Sequence, residues 1–163
     1  REPLLRAAAR TSVGALGADV IERAHRRTLK QGKRVGRDPR AEDLHELRIR
    51  AKRLRYVLEV VDELAGREGR RLLDDLADLQ DVLGAHQDAV VGGQVLRRFI
   101  EAAPPLAASA RAGAIAEALA TEMARAAEAR ARFAKAWSRF TSKRTDRHVD
   151  AVLERLRASA RAR

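Results

Sequence analysis

The sequence predicts an all-α protein, an antiparallel bundle of helices. Hydrophobic residues make up 45% of the chain and aromatic residues only 3%. Much of the apolar content is alanine, which favours helices packed on small side chains over a β-sandwich. Apolar residues also recur every three or four positions through most of the chain, which is the period of an amphipathic helix. A length of 163 residues suits one compact domain.

The strongest feature of the composition is its charge. The formal net charge is +11 and the sequence pI is about 11.2. Such a surplus attracts polyanions and makes binding depend on salt. The chain has no cysteine, which excludes disulfides and thiolate chemistry and agrees with a cytoplasmic location. No long apolar run or signal-peptide pattern is present, so the sequence predicts no membrane association.

The first predicted helix runs from Pro3, in its first turn, to about Lys33. Four cations share one of its faces: Arg23, Arg27, Lys30 and Arg34. His25 is expected on the other side with Ile21, and we interpret it as a hydrogen-bonded or partly buried histidine rather than a ligand. The glycine-containing run 31–43 then predicts a connection, and Asp43 is expected to cap the next helix.

The second predicted helix, residues 44–61, has two contrasting faces. One is an apolar stripe of Leu47, Ala51, Leu54, Leu58 and Val61. The other carries what we call the cationic row: His45, Arg48, Lys52 and Arg55, with Tyr56 beside it and Arg53 further round. Two interpretations fit this row, a solvated face or a ladder for a polyanion, because guanidinium groups match phosphate oxygens in pairs. Composition alone does not choose between them.

The next predicted helices are residues 70–83 and 85–102, separated by Gly84. Asp88 then lies where a helix begins, and its simplest role is to accept backbone hydrogen bonds there. The functional alternative is that Asp88 and Gln80 orient cations such as Arg55. His86 and Asp88 are too few ligands for a convincing metal site, so we predict no metal.

Pro104 and Pro105 interrupt the chain, and a long helix follows from about Ala108. Its core stripe is predicted to be Ile115, Leu119, Ala126, Phe133, Trp137 and Phe140. Arg125, Arg132 and Arg139 make a further basic face. A last amphipathic helix follows Lys143, capped by Asp146. Its inward residues are expected to be Val149, Val152, Leu153 and Leu156.

Two blocks of sequence resemble the signature of the CHAD domain, the conserved histidine α-helical domain. The first block contains His45-Glu46-Leu47-Arg48, then Lys52-Arg53-Leu54-Arg55-Tyr56 and Glu59; the second is LQDVLGAHQDAV, residues 79–90. The resemblance implies an all-helical fold of two similar four-helix halves whose signature helices face a basic channel. It also implies binding of inorganic polyphosphate, with the cationic row lining that channel.

The chain carries this signature once, in the form typical of the second half of the domain. Residue 1 is arginine and the only methionine is Met123, so we expect a piece of a longer protein. Residues 1–142 are predicted to form a CHAD-like helical bundle, one four-helix half of the domain. Residues 143–163 are predicted to form a C-terminal amphipathic helix or tail.

The leading functional hypothesis is a non-catalytic binding module for inorganic polyphosphate that uses no cofactor. Tyr56, Gln80 and Asp88 are expected to support the binding residues, which are His45, Arg48, Lys52, Arg53, Arg55, Arg23, Arg27, Lys30 and Arg34. Further expected partners are other polyanions and either a missing N-terminal half or a second copy, at cytoplasmic polyphosphate granules. One alternative is nonspecific nucleic-acid binding. The other is a phosphate-handling enzyme using His45, although the chain lacks a P-loop and an HExxH motif.

Overall fold

The computed structural model describes the backbone of residues 2–36, 39–102 and 105–161, and the side chains of residues 13–36, 39–102 and 112–161. Within these ranges the chain forms five helices and no strand, which confirms the all-α prediction. Pro104 lies outside the described residues. The helices are α1 (Glu2–Arg34), α2 (Ala41–Val60), α3 (Asp62–Ala102), α4 (Pro105–Phe140) and α5 (Lys143–Arg161).

The core lies where α2 packs between α1 and α3, with α5 closing the bundle against α1 and α3. α2 runs antiparallel to α1, since Gln31 near the end of α1 donates to the Asp43 carbonyl at the start of α2. It is also antiparallel to α3, because His45 meets Gln87. The apolar stripe of α2 is buried as predicted: Leu47, Ala51, Leu54 and Leu58 are inaccessible, and Val61 follows the helix end.

α2 begins at Ala41, before the predicted start, and this corrects the expected role of Asp43. The N-cap residue is Arg40, which makes no side-chain capping bond. Asp43 lies in the first turn, where its Oδ2 accepts a hydrogen bond of 3.0 Å from Arg40 Nε. Glu42 and Asp43 together place negative charge at the positive end of the helix dipole, which favours the earlier start.

α3 passes through Gly84 without a break, so the predicted interruption there was wrong. Asp88 is consequently an exposed residue inside the helix rather than the residue at its start. Burial of Leu83 and His86 beside the glycine outweighs its cost of about 1 kcal/mol in a helix. The break in α3 lies instead at Gly66, with φ 61° and ψ −140°, a backbone conformation that glycine adopts readily.

α4 and α5 place their predicted stripes inward. Phe133 and Phe140 are buried and Trp137 packs against the core, whereas Ile115, Leu119 and Ala126 are half-buried. The predicted inward residues of α5 are all buried: Val149, Val152, Leu153 and Leu156. The cap of α5 is Ser142 rather than Asp146, because the Thr145 amide donates to Ser142 Oγ over 3.4 Å. α5 continues to Arg161 as a helix.

Candidate functional site

Burial of the apolar stripe of α2 fixes the direction of the cationic row. His45, Lys52 and Arg55 are exposed and Arg48 is half-buried. Spacings of three, four and three residues place the four side chains on one flank of the helix. That flank faces α3, because His45 contacts Gln87 and Arg55 lies near enough to Asp81 for their charges to interact.

The two ends of the row are held by neighbouring side chains, and its middle is not. The His45 Nδ1–H donates to Gln87 Oε1 over 2.7 Å, which leaves Nε2 for a ligand. Arg55 Nε donates to Glu59 Oε1 over 2.7 Å, and this hydrogen bond raises the pKa of Arg55. Arg48 and Lys52 make no ion pair with any residue that the structure describes.

Tyr56 lies on the crest of α2, between the row and the opposite flank. Its side chain is 53% exposed. Lys52 Nζ lies 5.8 Å from the centroid of the tyrosine ring, within cation–π range. The Tyr56 ring therefore lies beside the ammonium group of Lys52 and is also accessible to solvent.

The opposite flank of α2 meets α1 in a groove of about 330 Å³, which we call the α1–α2 groove. Arg23 and Arg27 reach it from α1, and Arg50 and Arg53 reach it from α2. Its remaining lining residues are Val20, Ala24, Tyr56 and Val57. Arg50 was not among the residues predicted from the sequence. Its position three residues before Arg53 was the available signal, because this spacing places both on one face of α2.

The predicted binding residues therefore divide between two surfaces. The cationic row occupies the α3 flank of α2, whereas Arg53 joins Arg23 and Arg27 in the α1–α2 groove. Arg53 and Lys52 are adjacent in sequence but point in directions about 100° apart, because each helical residue advances by that angle. Lys30 and Arg34 are exposed further along α1.

Two histidines outside these surfaces are buried. His25 packs edge-on against Phe140 with ring centroids 5.8 Å apart, so it is buried as predicted, and its Nε2 has no hydrogen-bond partner among the described residues. Burial lowers the pKa of His25 below its ordinary value of 6.5. Burial also lowers the pKa of His86, helped by the charge of Arg130. Across the described ranges, no cluster of three or more histidine or acidic side chains has the geometry to hold a metal ion.

The basic face predicted on α4 is exposed, but two of its three arginines are already paired. Arg125 Nη1 lies 3.0 Å from Glu122 Oε1, and Arg139 Nη1 lies 2.6 Å from Asp78 Oδ2. Their charge is therefore partly neutralised by the protein itself. Among the helices as described, none is long and apolar enough to cross a membrane.

Comparison with protein-family models matches residues 1–97 to the CHAD domain. The matched segment contains α1, α2 and most of α3, and so both the cationic row and the α1–α2 groove. A search of the curated proteins gives no match.

Proposed function

Because the chain belongs to the CHAD family, we propose that it is a non-catalytic binding module for inorganic polyphosphate. The observation that carries the proposal is the cationic row, exposed along one flank of α2. Arg48 and Lys52 at its centre make no ion pair within the described part of the chain. Like charges at helical spacing repel by a few tenths of a kcal/mol per pair, and a bound polyanion relieves that repulsion.

The row has the dimensions of a track for a linear polymer. From His45 to Arg55 it rises about 15 Å at about 1.5 Å per residue. Successive cations lie one helical turn apart, so a chain of phosphates meets several of them at once. The guanidinium groups of Arg48 and Arg55 bind phosphate oxygens in pairs, and His45, held at Nδ1 by Gln87, presents Nε2 to the polymer.

The second group of cations extends binding to the α1 side of α2. It comprises Arg53, Arg23, Arg27, Lys30 and Arg34. Gln80 is proposed as a supporting residue, whereas Asp88 lines a groove against α4 with Glu122, Arg125 and Arg132 and does not support the row. In the described structure the side-chain partner of Arg55 is Glu59, and neither Gln80 nor Asp88 makes a hydrogen bond to it.

The arrangement favours binding over catalysis or base reading. His45 is oriented by the neutral amide of Gln87, whereas a catalytic histidine is commonly oriented and made more basic by a carboxylate. Phe133 and Phe140 are buried, and Trp137 packs against the core. Among the described residues, the exposed aromatic side chains are Tyr56 and Phe99, which are fewer than the successive stacking rings that single-stranded nucleic acids use.

A single row on an open helix face is screened by water and salt within about 8 Å. We therefore propose that a second wall, from another half-domain or a second copy of this chain, completes the site, at polyphosphate granules of the cytoplasm. Two basic faces repel until a polyanion lies between them. If a second copy supplies this wall, light scattering should show association of this chain only when polyphosphate is added. Association that is unchanged by the polymer would exclude a second copy as the wall.

The experiment that tests the function compares two polyanions. Long-chain polyphosphate and single-stranded DNA of matched charge are titrated against the protein at one fixed salt concentration. The row should bind polyphosphate more tightly, because the polymer presents one charge per phosphate at short, flexible spacing. Equal affinity for the two polymers would leave only a nonspecific basic surface.

A further inference from the structure

The α1–α2 groove contains more apolar surface than an inorganic polymer can use. Val20 and Ala24 of α1 and Val57 of α2 line it, with the Tyr56 ring at its edge. Polyphosphate has no apolar atoms, and its binding gains nothing from aliphatic side chains. The cationic row, by contrast, consists of cations and one histidine. The two flanks of α2 therefore differ in chemistry as well as in position.

The groove is also strongly cationic. Arg23, Arg27 and Arg53 make no ion pair with other described residues, and Arg50 lies 3.8 Å from Glu46. Three guanidinium groups without a carboxylate partner around one small groove repel one another. A ligand that fits this groove therefore has an anionic part for the arginines and a flat or apolar part for the remaining lining.

We propose that the α1–α2 groove binds a nucleoside phosphate, with the base against Tyr56 and the apolar lining and the phosphates on Arg23, Arg27 and Arg53. The proposal shares with the proposed function only the assignment of these arginines to phosphate oxygens. Its specificity comes from the base, which polyphosphate lacks. The segment matched to the family includes the groove residues, but the split of the cations between two flanks is seen only in the structure.

The volume of the groove and the side chains that line it are suited to a nucleoside phosphate. Its volume of about 330 Å³ lies at the small end of the range of about 300–1,000 Å³ for ligand sites, enough for a base and ribose with the phosphates toward solvent. Bases stack on tyrosine rings and on guanidinium planes. Lys52, 5.8 Å from the Tyr56 ring centroid, adds a further cation beside the bound nucleotide.

The test compares ATP with inorganic tripolyphosphate by calorimetry at one salt concentration without divalent metal. Both ligands have three phosphates, and tripolyphosphate has the greater charge, so electrostatics alone favours tripolyphosphate. Stacking of one base on an aromatic side chain is expected to make ATP bind at least about fivefold more tightly instead. Tyr56→Ala should remove the advantage of ATP, because it lowers the affinity for ATP more than the affinity for tripolyphosphate. Tyr56→Phe should retain it, because the ring is preserved.

Two results would overturn the proposal: ATP binding no tighter than tripolyphosphate, or a preference for ATP that Tyr56→Ala does not reduce. As a control, thermal unfolding should show that the Tyr56 variants are folded, because the Tyr56 side chain is exposed. A variant with Arg48→Gln and Arg55→Gln separates this proposal from the proposed function. It should weaken binding of long polyphosphate and keep the ratio of ATP to tripolyphosphate affinity, because neither residue lines the groove.

Discussion

Asp75 on α3 is a buried carboxylate that ties α5 to the bundle. Its side chain is 3% exposed, and Arg144 Nη2 pairs with its Oδ1. The His148 Nδ1–H donates to its Oδ2 over 2.6 Å. One carboxylate thus holds two side chains from the first turns of α5, and its loss leaves both without a buried acceptor.

Replacement Asp75→Asn should lower the free energy of unfolding by about 1–3 kcal/mol, since it weakens hydrogen bonds at a buried site. The matched control is Asp78→Asn, one helical turn away. Asp78 is 55% exposed and pairs with the exposed Arg139, so its loss should change stability by about 0–1 kcal/mol. Urea unfolding of both variants measures these changes in the free energy of unfolding. Equal losses would show that the Asp75 contacts do not anchor α5.

His25 makes stability depend on pH. Burial lowers its pKa below 6.5, against the opposing charges of Asp146 and Asp150, so the folded protein holds it neutral. As the pH falls below about 6.5, the unfolded chain takes up this proton more readily than the folded chain, and stability is lost. Above that pH both states are neutral and the contribution to stability is complete.

Unfolding of the wild type should therefore become easier between about pH 7.5 and about pH 5.5. His25→Leu should reduce that change, because it removes the buried titrating group and also the Nε2 atom that has no hydrogen-bond partner within the described structure. His86 titrates in the same direction and accounts for part of what remains. Thermal unfolding at the two pH values is the measurement. A pH dependence identical to that of the wild type would exclude His25 as its source.

The residues of the cationic row were predictable from sequence, because positions three and four apart share a face of any helix. The sequence did not predict which neighbouring helix packs on each side of this row. A helical pattern gives directions relative to one axis, whereas the packing of α1 beside Arg53 and of α3 beside His45 depends on contacts distant in sequence. For the same reason, Arg50 and the groove it lines were missed.

At the scale of the element, α3 shows how packing overrides local sequence. Gly84 has the local character of a helix break, yet the helix passes through it, and a Cβ atom at this position would have no neighbour within 4 Å. Gly66, in contrast, is the position where α3 breaks, because its φ of 61° is disfavoured for residues with a Cβ. Residue type alone does not distinguish the two glycines, whereas backbone conformation does.

Replacement Gly84→Ala should raise the free energy of unfolding by about 0.5–1 kcal/mol, since alanine is the better helix former and the position has room. Gly66→Ala should instead lower it by about 1–3 kcal/mol, because a backbone with φ 61° and ψ −140° is almost confined to glycine. Denaturant unfolding of the two single variants provides the comparison. Destabilisation by Gly84→Ala would mean that the protein uses a break at this position after all.

At the scale of the whole molecule, the net charge is +11, but the cations that contribute to it are not equally free to bind a ligand. Several arginines of α4 and α5 are engaged by carboxylates of other segments: Arg139 with Asp78, Arg144 with Asp75, and Arg157 with Glu22. Arg48, Lys52 and the groove residues Arg23, Arg27 and Arg53 make no ion pair with the residues that the structure describes, and they lie on the two flanks of α2. Other described cations, such as Arg130, Arg132 and Lys135, also make none, so the proposed location depends on the clustering of cations on α2 and not on pairing alone.

Polyphosphate binding is proposed to depend on the cationic row rather than on net charge. The most direct measurement compares two triple variants that remove the same charge: Arg48→Gln, Lys52→Gln and Arg55→Gln against Arg125→Gln, Arg132→Gln and Arg139→Gln. The row variant should bind long-chain polyphosphate at least about tenfold more weakly than the α4 variant, since each charge-assisted hydrogen bond contributes about 1.5–3 kcal/mol. Melting temperatures of both should stay near that of the wild type, because exposed charges contribute little to folding. Equal loss of polyphosphate affinity in the two variants would contradict a specific role for the row.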